Sequence, residues 1–173
     1  MAKKVTKSMI TSFSKFKDAW EKDAGNPYDS IMYYLIAALN IEKDEDLADA
    51  MMTVVVSKKD TQEDEKSPSG LKMSPRRGGY YIGQFRKNPN IAKSYVGGDY
   101  KDNYKIDKKN LVMTITRDQD LGGDKRKIFI HSGGTDSPRP VQVAKNKHGQ
   151  WKLIEYSSIC VGVRKTKDEE GDF

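Results

Sequence analysis

At Leu111 the spacing of apolar residues changes from a helical period to a strand period, and that change limits the fold more than any motif does. Downstream of it "LVMTITR" alternates, "DQDLGGD" turns, "KRKIFIHS" alternates again and "GGTDSP" turns. "RPVQVAK" then alternates, "NKHG" turns, and "QWKLIEYSSICVGV" closes the pattern. Strands at about 111–117, 125–132, 139–145 and 150–161, joined by short loops, predict a four-stranded antiparallel meander. Val141 and Val143 share a face, expected to oppose Trp151 and Leu153 across the Asn146–Gly149 turn. Helices first and strands last make the class α+β, with the helices covering one face of the sheet.

Helices are predicted at about 12–24, 27–41, 44–56 and 74–88. In the first, Phe13, Phe16 and Trp20 recur at helical spacing, Ser12 is positioned to cap, and Gly25 sits where a left-handed residue ends a helix. The second has the stronger start signal. Asn26 can accept from free amides, Pro27 needs no donor at the first position, and Asp29 lies in the positive end of the dipole. The helix that follows is apolar on nearly every face, which makes it central. The third begins in acidic residues and ends in valines, whose β-branching leaves its last turn open to extended structure. Ser74-Pro75 and Asn88-Pro89 bracket the fourth, which Gly78 and Gly79 weaken by about 1 kcal/mol each relative to alanine.

The stretch 57–70 has no apolar residue and reads as an exposed, mobile charged loop. Residues 1–11 read as a flexible N-terminus, 12–164 as a single domain, and 165–173 as a disordered acidic tail. The formal net charge of +6 is spread over the last two thirds of the chain, a diffuse field that names no partner. One cysteine, Cys160, excludes an internal disulfide. The N-terminus has no apolar core of a secretory signal, and the longest apolar run, Ile31 to Leu39, is too short to span a bilayer. The expectation is a soluble, cytoplasmic protein with no membrane contact.

"NPYDS" opening an apolar helix, "IAKSYVGGDYKDNY", and "SGGTDSPRPVQVAKNKHGQWKLIEYSSICVGVR" together resemble an uncharacterised bacterial family of small domains. The C-terminal motif, S-P-R-P-V through W, E-Y-S-S and G-V-R, carries most of that resemblance, which covers roughly residues 26–165. "YVGGDYKDNY" departs from the family pattern in lacking A-T-P. The resemblance implies a shared domain and no activity. At the level of fold, helices followed by a curved antiparallel sheet are also similar to nuclear-transport-factor-2-like cones, which often enclose a cavity; fold alone confers no function.

Catalytic patterns are scarce. A soft-ligand zinc site would need His131, His148 and Cys160 together, and their places in a strand end, a turn and an apolar strand argue against it. "DQDLGGD" has the first spacings of a calcium loop, but Phe129 stands where a bidentate glutamate belongs, so a hairpin turn is the better reading. Ser157 and Ser158 lie outside a nucleophile elbow, and no glycine cluster has phosphate-loop spacing. No metal or cofactor is expected.

Two residue groups remain as contact candidates. Arg139, held extended between Pro138 and Pro140, can fork onto a carboxylate such as Asp136 or Glu155. Trp151 and Tyr156 are expected on opposite faces of one strand, so that one is core and the other free to line a pocket. Arg139, Glu155 and Tyr156 are therefore the candidate ligand or partner contacts. "RRGGYYIGQFRK" mixes Arg76, Arg77, Arg86 and Lys87 with Tyr80, a combination able to clamp phosphates and stack bases. The ordinary reading, an amphipathic helix with Tyr81, Ile82 and Phe85 inward, is preferred, and nucleic acid is the lesser alternative. The preferred function is a non-enzymatic domain that binds another protein or its own copies, a candidate subunit of a larger assembly. A cone-type enzyme or small-molecule binder is the rival, and it requires a hollow between helices and sheet.

Overall fold

A computed structural model describes residues 2–172. Along the chain run β1 (Lys3–Lys7), α1 (Phe13–Asp23), α2 (Pro27–Leu39), α3 (Glu45–Val55), β2 (Thr61–Glu63), β3 (Leu71–Met73), α4 (Gly78–Lys87) and α5 (Asn90–Lys93). Then come β4 (Leu111–Gly122), β5 (Lys125–Ile130), β6 (Arg139–Lys145), β7 (Trp151–Glu155) and α6 (Lys167–Glu170). The class is α+β, as the change of period predicts. The main sheet has the order β1-β4-β5-β6-β7, antiparallel throughout, and β2 and β3 form a separate hairpin.

Helix α2 occupies the centre. Asn26 accepts from the Tyr28 amide at 2.8 Å, Pro27 opens the helix, and residues Ser30 to Leu39 are all buried. It packs against α1, α3, α5, β1 and β7. Opposite it, the inner side of the sheet presents Leu111, Met113, Ile115, Ile128, Ile130, Val141, Val143, Trp151 and Leu153, all buried. The space between helices and sheet is filled with side chains. Its polar groups are paired as burial requires: Trp20 donates to Ser30 Oγ at 3.2 Å, and Ser30 donates to the Trp151 carbonyl at 2.7 Å. Among the described residues no helix is long and apolar enough to cross a membrane.

Several local expectations need correction. Within the N-terminal segment expected to be flexible, Lys3–Lys7 add a fifth strand in register with Leu111–Ile115; Val5 faces Met113, a pairing invisible in so short and basic a segment. Helix α1 ends without a left-handed glycine. The Trp151 amide takes the free Ala24 carbonyl at 2.7 Å, so a strand supplies the cap. Helix α4 starts at Gly78 rather than Ser74, and contact rather than turn geometry favours Gly78, since a Cβ there would lie 2.8 Å from Met73 Cβ.

The loop at 57–70 is also ordered. It begins as a 3-10 turn (Lys58–Asp60) and forms most of the β2–β3 hairpin, tied to α3 by Asp49, which accepts from the Met73 amide at 2.8 Å. Strand β7 stops at Glu155, and Ser157–Cys160 turn as a 3-10 helix. A bulge near Gln142–Val143 keeps Val143 opposite Leu153, while Trp151 faces Lys145. Of the tail expected to be disordered, residues 166–170 are held: Thr166 and Glu169 form a reciprocal capping box on α6, and the Asn103 amide donates to Asp168 at 3.0 Å.

Candidate functional site on the outer face of the sheet

The first predicted contact group is mostly built into the scaffold. Arg139 does not fork onto a carboxylate. It donates to the Val161 and Gly162 carbonyls at 2.7 and 2.6 Å and to the Tyr95 hydroxyl at 2.9 Å, pinning the chain that follows the last 3-10 turn. Tyr156 lies beyond the end of β7, so the expected opposite facing of Trp151 and Tyr156 does not hold, and both rings are buried. Tyr156 donates to Asp60 at 2.8 Å and packs on Tyr34 and Tyr81. Burial first, and then the bond to Asp60, hold its hydroxyl far above the ordinary tyrosine value. Glu155 accepts from Arg77 at 2.8 Å and from the Ser157 hydroxyl at 2.8 Å. Burial pulls its carboxyl upward, but the Ser157 bonds and the Arg77 charge outweigh that and leave it below its usual value.

Arg77 joins both of these residues. It reaches Asp60 at 3.3 Å, Glu155 at 2.8 Å and the Ile154 carbonyl at 3.2 Å. Asp60 is the key to this knot and went unseen in the sequence, where it sits inside an entirely polar stretch; its side chain is only 6% exposed. Of the other basic and aromatic residues near α4, Arg86 pairs with Glu45 at 2.8 Å, Arg76 and Lys87 are exposed, and Tyr80 is exposed beside Tyr81. The segment 76–87 therefore holds two arginines already engaged with acids and no continuous cationic track.

The glycine-rich stretches are scaffold as well. A Cβ on Gly133 would fall 2.0 Å from the Gly98 carbonyl oxygen, and one on Gly134 would fall 2.3 Å from the Tyr104 hydroxyl. "SGGTD" and "YVGGD" thus pack backbone to backbone, joined by a bridge between Asp99 and Gly133.

What the helices leave uncovered is the outer side of the sheet. The register places Arg117 beside Phe129 and Pro140; Gln119 beside Lys127, Gln142 and Glu155; and Lys125 beside Ala144 and Lys152. The Phe129 ring is flanked by Arg117 and Lys127, each 5.5 Å from its centroid. Among the described residues that this register puts on the face, Glu155 is the one carboxylate, and Arg77 holds it. At the β6–β7 end, small Ala144 between two lysines leaves a groove of about 500 Å³, whose walls include Lys58, Lys59, Lys145, Lys147 and Lys152. Lys152 is half-buried. Burial, and then the Lys58 charge, push its amine down to about 8. Lysines 125, 127 and 152 were available to sequence reading as the polar positions of alternating strands, but no motif distinguishes them from an ordinary solvated face.

A family model described as "Domain of unknown function (DUF6935)" matches residues 9–167. The chain belongs to that family. The DUF6935 match takes in the filled interior, both glycine-rich stretches and the whole basic face, and it begins after β1. No curated protein and no solved structure matches the chain, so the likeness to cone folds gains no support, and the hollow that such cones often enclose is here occupied by α2.

Proposed function

We propose that the protein is a non-catalytic, cytoplasmic binding domain that presents the outer face of its sheet to an acidic surface or segment of another protein. The observation that carries this reading is the contrast of charge and cover on that face. Arg117, Lys125, Lys127 and Lys152 stand on an uncovered sheet around Phe129, with the one carboxylate in register there already paired. A two-layer domain buries one sheet face under its helices, and the other face is free for a partner. Complementary charge would steer and orient such a partner. A second copy fits poorly, because it would bring the same positive field to the contact.

Single-stranded nucleic acid is the weaker occupant. Stacking of bases needs open aromatic faces, and Phe129, the aromatic of this face, already has a cation at 5.5 Å from Arg117 and another from Lys127. Burial of Ile31, Tyr34, Leu35 and Leu153 between helices and sheet supports the binding reading over the enzymatic alternative.

Calorimetry on the full chain with a glutamate-rich polypeptide and, separately, a single-stranded oligonucleotide tests the proposal. Saturable binding of the polypeptide, weakened by Arg117→Ala and Lys127→Ala, is expected. Tighter binding of the oligonucleotide would replace the proposal with the nucleic-acid reading, and no binding of either would remove the face from consideration.

A further inference from the structure

We infer that the groove between the Lys58–Lys59 turn and the β6–β7 turn is a binding site for a phosphate-type dianion, with Lys152 in its lining. The inference deepens the reading of the outer face, since the groove forms one end of that face, but it can stand or fall separately.

The groove is built from three pieces of chain. Lys58 and Lys59 come from the 3-10 turn after α3, which is fixed beside β7 by the Ser57 amide bonding to the Leu153 carbonyl at 2.9 Å. Lys145 ends β6 and Lys147 lies in the β6–β7 turn, which Asn146 closes by accepting from the His148 amide at 2.9 Å and the Gln150 amide at 3.0 Å. Lys152 comes from β7 itself. Backbone structure therefore sets where these lysines leave the chain around the groove.

Among the described residues no carboxylate lines the groove. The acids nearest in the fold are committed elsewhere: Asp60 to Arg77 and Tyr156, Glu155 to Arg77 and Ser157. Asp124 reaches Lys145 at 3.5 Å but is itself largely exposed. Ordinary surface lysines repel weakly through water, but Lys152 is half-buried, pairs with no acid among the described residues, and lies near the Trp20 ring at 5.1 Å and near Lys58. The fold thus partly desolvates this cation and sets against it the Trp20 ring rather than a carboxylate. A bound dianion supplies the missing charge.

The shape selects the class of ligand. Ala144 and Ile154 give the floor an apolar patch, and about 500 Å³ is room for a phosphate group together with whatever carries it. Lysines act as compact point charges from several directions, which suits a small, doubly charged anion better than a planar carboxylate that asks for a fork.

The test is an NMR titration of the full chain with 13C-labelled lysine, following Lys152 against pH at constant ionic strength. With chloride alone the midpoint should lie near 8. With millimolar inorganic phosphate it should rise by about one unit or more, since the bound dianion favours the ammonium. Lys152→Met should abolish phosphate binding while keeping a folded spectrum, and Lys58→Ala should raise the chloride midpoint. A midpoint that phosphate leaves unmoved, or binding that survives Lys152→Met, overturns the inference. Two further arms separate the sources. A phosphoserine form of an acidic peptide binding tenfold or more tighter than its unphosphorylated form assigns the dianion to a partner protein, while equal affinities with inorganic phosphate still bound assign it to a free small molecule. An acidic peptide that binds the face while phosphate does nothing to Lys152 removes this site and leaves the partner reading intact.

Discussion

The two faces of the main sheet are made by the same strands, one residue apart, and they differ in almost every property. On the inner side Ile128, Val141, Val143 and Leu153 are wholly buried under α2. On the outer side their immediate neighbours Lys127, Gln142, Ala144 and Lys152 are partly open to water. Every polar knot that could be mistaken for a reactive centre, such as Asp60–Arg77–Tyr156, joins scaffold elements from the inner side or the rim. Along each strand the well-patterned residues hold the structure, and the lysines between them, which carry no pattern of their own, form the open surface.

The contrast can be broken most severely from the inside. Leu153→Ala should cost about 2–5 kcal/mol in urea denaturation, because the filled interior cannot collapse onto the lost volume. A cost below about 1 kcal/mol would mean that the inner face is loosely packed. Next in size is the rim. Asp60→Ala should cost about 2–3 kcal/mol, since it strands the Tyr156 hydroxyl and one arm of Arg77, with solvent at Arg77 moderating the loss. Tyr156→Phe should cost less than Asp60→Ala. Equal effects would show that the hydroxyl, and not the ion pair, carries the knot.

A pH series sharpens the comparison from the outer side. The folded Lys152 amine titrates near 8 against an ordinary 10.5, so between those values the unfolded chain binds the extra proton. Stability should therefore rise with pH across that window, by about 1–2 kcal/mol after solvent screening. Tyr28 and Tyr104 act in the opposite sense: each is raised to about 12, mainly by burial, so their contribution is present below the usual tyrosine value and is lost as pH climbs toward 12. A rise followed by a fall is expected, and Lys152→Met should erase the rise alone. The smallest effect on stability belongs to Lys125→Ala and Lys127→Ala, each expected within about 0.5 kcal/mol of the parent in the same denaturation experiment.

The fold was largely legible because its strongest signals are local. Asn26-Pro27 and the alternation after Leu111 report backbone geometry directly, and both appear where expected. What could not be read depends on distant pairing. Strand β1 exists because β4 offers it an edge, not because "KKVTK" prefers to be extended. The hairpin at 61–73 is ordered by Asp49 and by the buried Asp60, neither of which a composition argument can place. The sequence suggests a carboxylate fork for Arg139, but its targets are backbone carbonyls that arrive only when the chain folds back after Cys160. The basic face was hidden for a different reason: alternating lysines are what any solvated strand shows, and only the absence of a covering layer and of opposing acids gives them meaning.

The most direct measurement is amide chemical-shift mapping of the full chain with a glutamate-rich polypeptide, repeated on an Arg117→Glu, Lys127→Glu double variant. The account predicts shifts confined to outer-face positions of β4 to β7, including Lys125, Lys127, Phe129 and Lys152, and their disappearance in the charge-reversed variant. Shifts centred on α1 to α3 or on 76–87, or shifts that persist after charge reversal, would contradict it.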